Sequence, residues 1–299
     1  MNINGLELFV LSADRLNISA AGRDLGLAPA VASARLAKLE NQLGVELLHR
    51  STRKVALSPD GEAFLPYARE ILAQSEAGRA VVGQGKSDPS GILRFAAPSS
   101  FAQLHIIDIL PEFHELYPNI TLDLRLSDTR FNTIEGSFDL ALRSAPLQDS
   151  SLKGRKLSAD RRILCASPTY LETHGTPQFL ADLAGHNYLA WANLSSKQLI
   201  NVTNEIAELN PREMRCRNVF DDGTSLRMAT LTGAGISINS RWSVAHEIAR
   251  GKLIQILPDW KLNDSSFLWL FYPQSNVLTP KVRCFMDFLI RKLGSSETF

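Results

Sequence analysis

The sequence predicts an α+β multidomain protein in three parts: an all-α head carrying a winged helix-turn-helix, a long linker helix, and an α/β domain of two lobes. Three observations predict it. Short helical stripes and one hairpin fill residues 1–57, and a single amphipathic stretch then runs from 59 to about 84. A cluster of turn-forming residues follows at Gly83, Gly85, Ser87, Asp88, Pro89, Ser90 and Gly91. Beyond it apolar strands alternate with helical patterns, the signature of parallel sheets flanked by helices. The boundaries expected are 1–58 for the head, 59–88 for the linker and 89–299 for the second domain. Its lobe I takes about 89–160 and 267–299, and its lobe II about 161–266.

With 299 residues the chain exceeds one ordinary domain. A composition of 44% hydrophobic and 21% charged residues excludes a disordered chain. Net charge is only +1, so any nucleic-acid partner has to be read from where the charges lie. Cys165, Cys216 and Cys284 are odd in number and far apart, which speaks against a disulfide framework and for a reducing compartment. The N-terminus lacks a basic stretch before an apolar core, and no run of about 18 uncharged apolar residues occurs. A cytoplasmic protein without a membrane partner is therefore expected.

In the first helix Leu6, Phe9, Val10 and Ala13 share one buried face. The second is expected to start at Ser19, whose hydroxyl can cap free backbone N–H groups, and to stop at Gly26. The third starts at Pro29 and buries Ala32, Leu36, Leu39 and Leu43, which turns Ala30, Ser33, Ala34, Ala37, Lys38 and Asn41 outward. A short helix, the turn Gly26-Leu27-Ala28 and a longer helix with small outer residues fit the major groove of double-stranded DNA. Any three-helix bundle shows similar stripes, so the hairpin matters. Glu46 to Arg50 and Lys54 to Leu57 are joined through Ser51-Thr52-Arg53, a wing whose basic tip can meet phosphates or a minor groove. Plain solvation of those charges is the alternative. The DNA-contacting set expected is Ser19, Pro29, Ala30, Ser33, Ala34, Lys38, Arg50, Arg53 and Lys54.

Leu8-Phe9, Ser19-Ala20-Ala21, Leu25, Ala30, Ser33, Leu36, Leu39-Glu40, Leu43-Gly44, Leu47, Arg50, Arg53, Leu57 and Gly61 hold their spacing without a gap. In this the chain resembles the LysR-type transcriptional regulators, and the length and lobe pattern downstream agree over essentially the whole chain. The resemblance implies a regulator whose C-terminal lobes are periplasmic-binding-protein-like, with an effector cleft between them, and whose dimers usually pair into tetramers. One departure stands out: where the family often carries Ser, Gln or Pro before the recognition helix and Arg within it, this chain has Ala28, Pro29 and Ala34, and Ala28 has no side-chain oxygen to cap a helix. Readout then leans on Ser33, on alanine contacts to thymine methyls and on DNA shape, with Arg50 and Arg53 carrying much of the affinity.

Ser58 and Pro59 form a cap and first-turn pair for the long helix, which gathers Phe64, Ala68, Ile71, Leu72 and Ser75 on one side. Pairing of Phe64, Ala68, Ile71 and Leu72 with the same helix of a second subunit is expected, and packing on its own chain is the alternative. A symmetric dimer implies an imperfectly palindromic operator.

The second domain opens with strand Ile92–Ala97, helix Phe101–Leu116, strand Ile120–Leu126, a helix near Phe131–Glu135 and strand Phe138–Arg143. A second set follows: strand Arg162–Ala166, a Pro168-led helix, strand Tyr188–Trp191, helix Asp222–Thr232, and strands Gly235–Ile238 and Leu253–Leu257. The run Phe267–Tyr272 and the helix Thr279–Leu293 return to complete the first lobe, giving two chain crossings. Ligands in such sheets sit beyond the carboxyl ends of strands. Ser99, Ser100 and Phe101 follow the first strand, and a carboxylate is expected at the helix N-terminus they begin. Asp128, Arg143, Trp191 and Asn193 end other strands, Phe101 and Trp191 serve as aromatic walls, and Arg143 can pair with a carboxylate or act in a structural salt bridge. An aromatic or short-chain carboxylate is the effector expected.

Other signals are weaker. Gly233-Ala234-Gly235 joins a helix to a strand, the reverse of the order phosphate binding requires. The six histidines show no metal-binding spacing, and no Gly-x-Ser-x-Gly occurs. Cys165 lies in an apolar run, unlike a redox-reactive thiol. Asp128, Asp221 and Asp222 are available as bases but no partner acid is evident, so neither an enzyme nor a cofactor or metal is expected. The rival class is a small-molecule binding protein or enzyme with a head that ignores DNA. RNA polymerase completes the partners considered.

Overall fold

The structure, a computed structural model, describes residues 2–50, 55–81, 88–128, 138–145, 152–264, 266–273 and 278–294. Two compact units divide it, the head within residues 1–88 and a larger unit that holds both lobes.

Four helices and a hairpin build the head. Helix α1 (Ile3–Arg15) begins at Asn2, whose side chain accepts from the Asn4 N–H. Helix α2 (Ile18–Asp24) is capped by Asn17, which accepts from Ala20. Ser19 therefore lies inside the helix and does not start it, because the amide of Asn17 reaches the free N–H two residues earlier than expected. Gly26 is left-handed (φ +67°), as a tight turn out of a helix requires. Helix α3 (Pro29–Leu43) starts without a side-chain cap at Ala28 and ends at left-handed Gly44. Strands β1 (Leu48–Arg50) and β2 (Val55–Leu57) pair antiparallel. Helix α4 (Pro59–Val81) is capped by Ser58, whose Oγ accepts from the Gly61 N–H at 2.9 Å. Pro66 sits inside it and removes one backbone donor. The core joins Leu6, Leu8, Phe9, Val10, Ile18, Ala21, Ala32, Leu36, Leu39, Leu47, Leu48 and Ala68.

In the larger unit, lobe I is a five-stranded sheet ordered β4-β3-β5-β15-β6. Its strands are β3 (Gly91–Ala97), β4 (Ile120–Leu126), β5 (Leu140–Ala145), β6 (Leu152–Ala159) and the returning β15 (Phe267–Pro273). Strands β4 and β5 run parallel to β3, whereas β15 pairs antiparallel with β5 and β6, so the sheet is mixed. The segment expected as one helix from Phe101 to Leu116 is broken into α5 (Ser99–Phe101), a π-turn (Ala102–Ile106), a 3₁₀ turn (Ile107–Ile109) and α6 (Leu110–Leu116). Pro111 has no N–H for the Ile107 carbonyl and its ring crowds that group, so the regular ladder cannot run through. The helix expected near Phe131–Glu135 lies outside the described residues.

Lobe II begins with β7 (Arg162–Ala166), α7 (Pro168–His174) and β8 (Asn187–Trp191). It continues through β9 (Lys197–Asn201), β10 (Ile206–Leu209), β11 (Arg215–Phe220), α8 (Gly223–Leu231) and β12 (Ile236–Ser240). Then come α9 (Arg241–Ala249), β13 (Ile254–Gln255) and β14 (Trp260–Leu262). The main sheet is ordered β11-β8-β12-β7-β13, with β10-β9-β14 as a small second sheet. The closing helix α10 (Pro280–Leu293) lays Phe285 edge-on to Phe95 of β3 at 5.1 Å, which completes the core of lobe I. Among the described residues no helix is long and apolar enough to cross a membrane.

Candidate nucleic-acid interface and ligand cleft

In the head, α2 and α3 approach closely because Gly22 has no side chain: a Cβ there would lie 2.8 Å from that of Ala32. The buried stripe of α3 is Ala32, Leu36 and Leu39, with Leu43 half-buried. Pro29, Ala30, Ala34, Lys38 and Asn41 are exposed, while Ser33 and Ala37 are half-buried. Val31, which sequence reasoning passed over, is 48% exposed and adds an apolar contact to the first turn. Glu40 fixes the wing to α3, its Oε1 accepting from the N–H groups of Leu47 at 3.0 Å and Leu48 at 3.2 Å. Ser19 is half-buried near the start of α2. Arg50 ends β1, but its side chain, Arg53 and Lys54 lie outside the described residues.

The long helix packs on its own head. Ala68 is fully buried within its own chain, and Phe64, Ile71 and Leu72 pack against the same head core. Phe64 lies 5.9 Å from Phe9, centroid to centroid, and Arg69 pairs with Asp14 of α1 at 2.8 Å. Of the stripe, Ala68 is thus taken up inside the subunit, while Phe64, Ile71 and Leu72 rest against the apolar head and stay half-buried. Tyr67, 64% exposed, lies at the solvent edge of that stripe, one turn before Ile71.

The cleft of the larger unit has a volume of about 770 Å³. Lobe I contributes the carboxyl ends of β3, β4 and β5, with Ser100, Ser127, Asp128, Arg143 and Ser144. From lobe II come the ends of β8, β11 and β12, with Trp191, Asn193, Asp221, Asn239, Ser240 and Trp242. Beside Trp191, Ala192 holds a left-handed backbone (φ 60°), a conformation an alanine adopts only under local constraint.

Charge in the cleft gathers where the chain crosses between lobes. Asp160, 3% exposed, accepts from Trp242 Nε1 at 2.9 Å and from Ser144 Oγ, and Arg162 Nη2 stands 3.4 Å from it. Arg162 also pairs with Asp264 at 3.1 Å, tying the outgoing and returning strands together. Burial raises the Asp264 carboxyl above its ordinary value despite the Arg162 cation. Burial lowers the Lys197 ammonium, and the neighbouring Arg162 cation lowers it further. Asp264 offsets part of that effect on Lys197, and Arg162 is matched by the carboxylates of Asp160 and Asp264.

Of the residues expected to meet a ligand, Ser100, Asp128, Arg143, Trp191 and Asn193 come together in this cleft. Two do not. Ser99 is not among the lining residues, and Phe101 is fully buried behind the wall, 5.0 Å from Trp242 and 4.9 Å from the His105 ring. Turning Ser100 toward the cleft swings its neighbours away, and Trp242 takes the place given to Phe101. The expected carboxylate position is also filled, since Asp128 accepts from Ser100 N–H and Oγ, both at 3.1 Å. Asp160, Arg162, Lys197 and Trp242 were missed. The rule that found Trp191, a strand end facing the cleft, reaches Trp242 once α9 is known to follow β12 directly.

Among the described residues no group of His, Cys, Asp and Glu could hold a metal ion. Burial pushes the Cys165 thiol up to about 11, which keeps it protonated and unreactive.

A helix-turn-helix head with a bare outer face, joined to a two-lobed cleft, defines the class of ligand-responsive transcription regulators. Comparison with known proteins gives the family: residues 3–62 match "Bacterial regulatory helix-turn-helix protein, lysR family", and residues 86–294 match "LysR substrate binding domain". The chain belongs to the LysR-type transcriptional regulators. CrgA of Neisseria meningitidis serogroup C is 32% identical over 295 residues, covering 99% of this chain and 98% of that protein. PtxR of Pseudomonas aeruginosa is 31% identical over 297 residues, covering 98% and 94%. The solved structure of CrgA has a TM-score of 0.62 at 30% identity over 99% of this chain and 100% of that one. Full-length AphB, the Vibrio cholerae virulence activator, has a TM-score of 0.60 at 27% identity over 98% and 100%. Proteins of this family bind DNA and small-molecule effectors and form oligomers, and the homologues are regulators.

Proposed function

We propose that this protein is a cytoplasmic, non-enzymatic, sequence-specific DNA-binding regulator whose hold on DNA or activation of a promoter changes when a small carboxylate binds between its lobes. The observation that carries the DNA half is the outward face of α3. Ala30, Val31 and Ala34 stand exposed with Lys38, a surface slim enough for a major groove and matched to thymine methyls. Ser19, Pro29 and Ser33 flank it, and Arg50, Arg53 and Lys54 supply phosphate contacts from the wing.

The effector half rests on the cleft, where Arg143 and Lys197 offer charge and Trp191 and Trp242 offer aromatic walls. Self-association falls to the exposed side of α4 that carries Tyr67, with the partly buried Phe64, Ile71 and Leu72 at its margin. A dimer so formed reads an imperfect palindrome, a tetramer two of them, and RNA polymerase is the further partner of an activator. The division into 1–58, 59–88 and 89–299 is kept as the working domain scheme. A mobility-shift assay with DNA flanking the protein's own gene, at two salt concentrations, tests the reading. Binding that exceeds that of unrelated DNA and weakens with salt is expected, and equal binding to both would contradict it.

A further inference from the structure

Asp128 lies two residues past the end of β4 in lobe I, and its two carboxylate oxygens are engaged on opposite sides of the cleft. Oδ1 accepts from the Ser100 N–H and from Ser100 Oγ, each at 3.1 Å, both within lobe I. Oδ2 accepts from the N–H of Gly223 at 2.7 Å, and Gly223 is the first residue of α8 in lobe II. That amide is one of the free donors of a helix first turn, where a negative charge is favoured. The lobes come this close because Gly223 has no side chain: a Cβ would stand 2.9 Å from Ser100 Oγ and 3.4 Å from Asp128 Oδ2. Two neutral contacts also span the lobes. Thr224 Oγ1 donates to Gln103 Oε1 at 3.1 Å, and His105 Nε2 meets the Trp242 carbonyl at 3.1 Å. Asp128 adds a full charge here, as Asp160 does at the chain crossing, where it accepts from Trp242 Nε1 at 2.9 Å.

We propose that Asp128 is a built-in carboxylate latch that holds lobe I to lobe II before any effector binds. It supplies from within the chain the group that an anionic effector would otherwise bring to Ser100 and Gly223. This deepens the regulator reading and rests on it for its consequence. An anionic effector of the cleft is directed instead to Arg143 and Lys197, and it binds between lobes that are already joined.

Amide hydrogen exchange on the full-length protein, without DNA or effector, tests the latch. Asp128→Ala is expected to speed exchange at Ser100 and Gly223 by about tenfold or more, the scale of losing a hydrogen bond to a charged acceptor. Excess formate, which can take the place of the missing carboxylate, is expected to slow it again while leaving those amides of the wild-type protein unaltered. Unchanged exchange in Asp128→Ala, a rise that formate does not reverse, or a formate effect on the wild type overturns the proposal. Should Asp128→Ala fail to fold, Asp128→Asn decides the matter: a severalfold rise at Gly223 supports the latch and none overturns it. The readout uses neither DNA nor effector, so its failure leaves the regulator reading standing, and absence of DNA binding leaves the latch standing.

Discussion

At the scale of single residues, Glu40 sets the geometry of the head, because one of its oxygens accepts two backbone donors at the start of the wing. Replacing it with alanine leaves both donors without that acceptor and is expected to cost about 1–3 kcal/mol. A lower denaturant midpoint at constant slope would register the loss; an unmoved midpoint would contradict it. Arg53 acts on DNA instead of on stability. Arg53→Ala is expected to weaken binding to every sequence and to lower the log–log salt slope by about 1, so an unchanged slope would remove it from the interface. His105 gives the lobe seam a pH response. Burial lowers its pKa from 6.5, so the folded state binds fewer protons than the unfolded one over the interval between the two values. Its share of stability is therefore complete above about pH 6.5 and is lost as pH falls from there through the lower folded value. Burial lowers His186 too. His105→Asn should reduce, without abolishing, the fall in melting temperature between about pH 7.5 and 5.5. Single residues were the least legible in the sequence: Asn17 and Ser19 are both good caps, and only the backbone path decides between them.

Elements were legible wherever an apolar period was strong. Strands Ile120–Leu126 and Arg162–Ala166 fall where the sequence places them, as do α1, α3 and the amphipathic α10. Strands β6, β10, β11 and β14 went unread for a shared reason: each lies at a sheet edge, so charged residues such as Lys153, Arg155 and Lys156 replace the apolar signal. Strand β9, in the centre of the small sheet, was passed over as well, and α9 was missed because it follows β12 without a turn signal. The join between wing and α4 yields the prediction at this scale. A Cβ on Gly61 would sit 2.0 Å from the Leu47 carbonyl oxygen. Backbone atoms cannot yield as a flexible side chain can, so Gly61→Ala should displace the first turn of α4 and destabilise the head by about 1–3 kcal/mol or more. An unaltered melting transition of the purified variant would show that the join is looser than described.

For the whole molecule, the two-lobed plan was readable because the run Phe267–Tyr272 has no place in lobe II and returns as β15 between β5 and β6. The contents of the cleft were not. Asp128, Asp160 and Trp242 come together from distant stretches, and nothing local in the sequence says that a carboxylate of the chain occupies donors expected to await a ligand. DNA recognition depends most on the outward face of α3 lying against a duplex. Fluorescence anisotropy with DNA from beside the gene, comparing the wild type with Ala34→Glu, tests this most directly. Ala34 is exposed and outside the core, so the variant should fold and melt as the wild type does. It should lose specific binding, because a carboxylate is brought against phosphates and base edges. Tight binding by a folded Ala34→Glu protein would contradict the central claim.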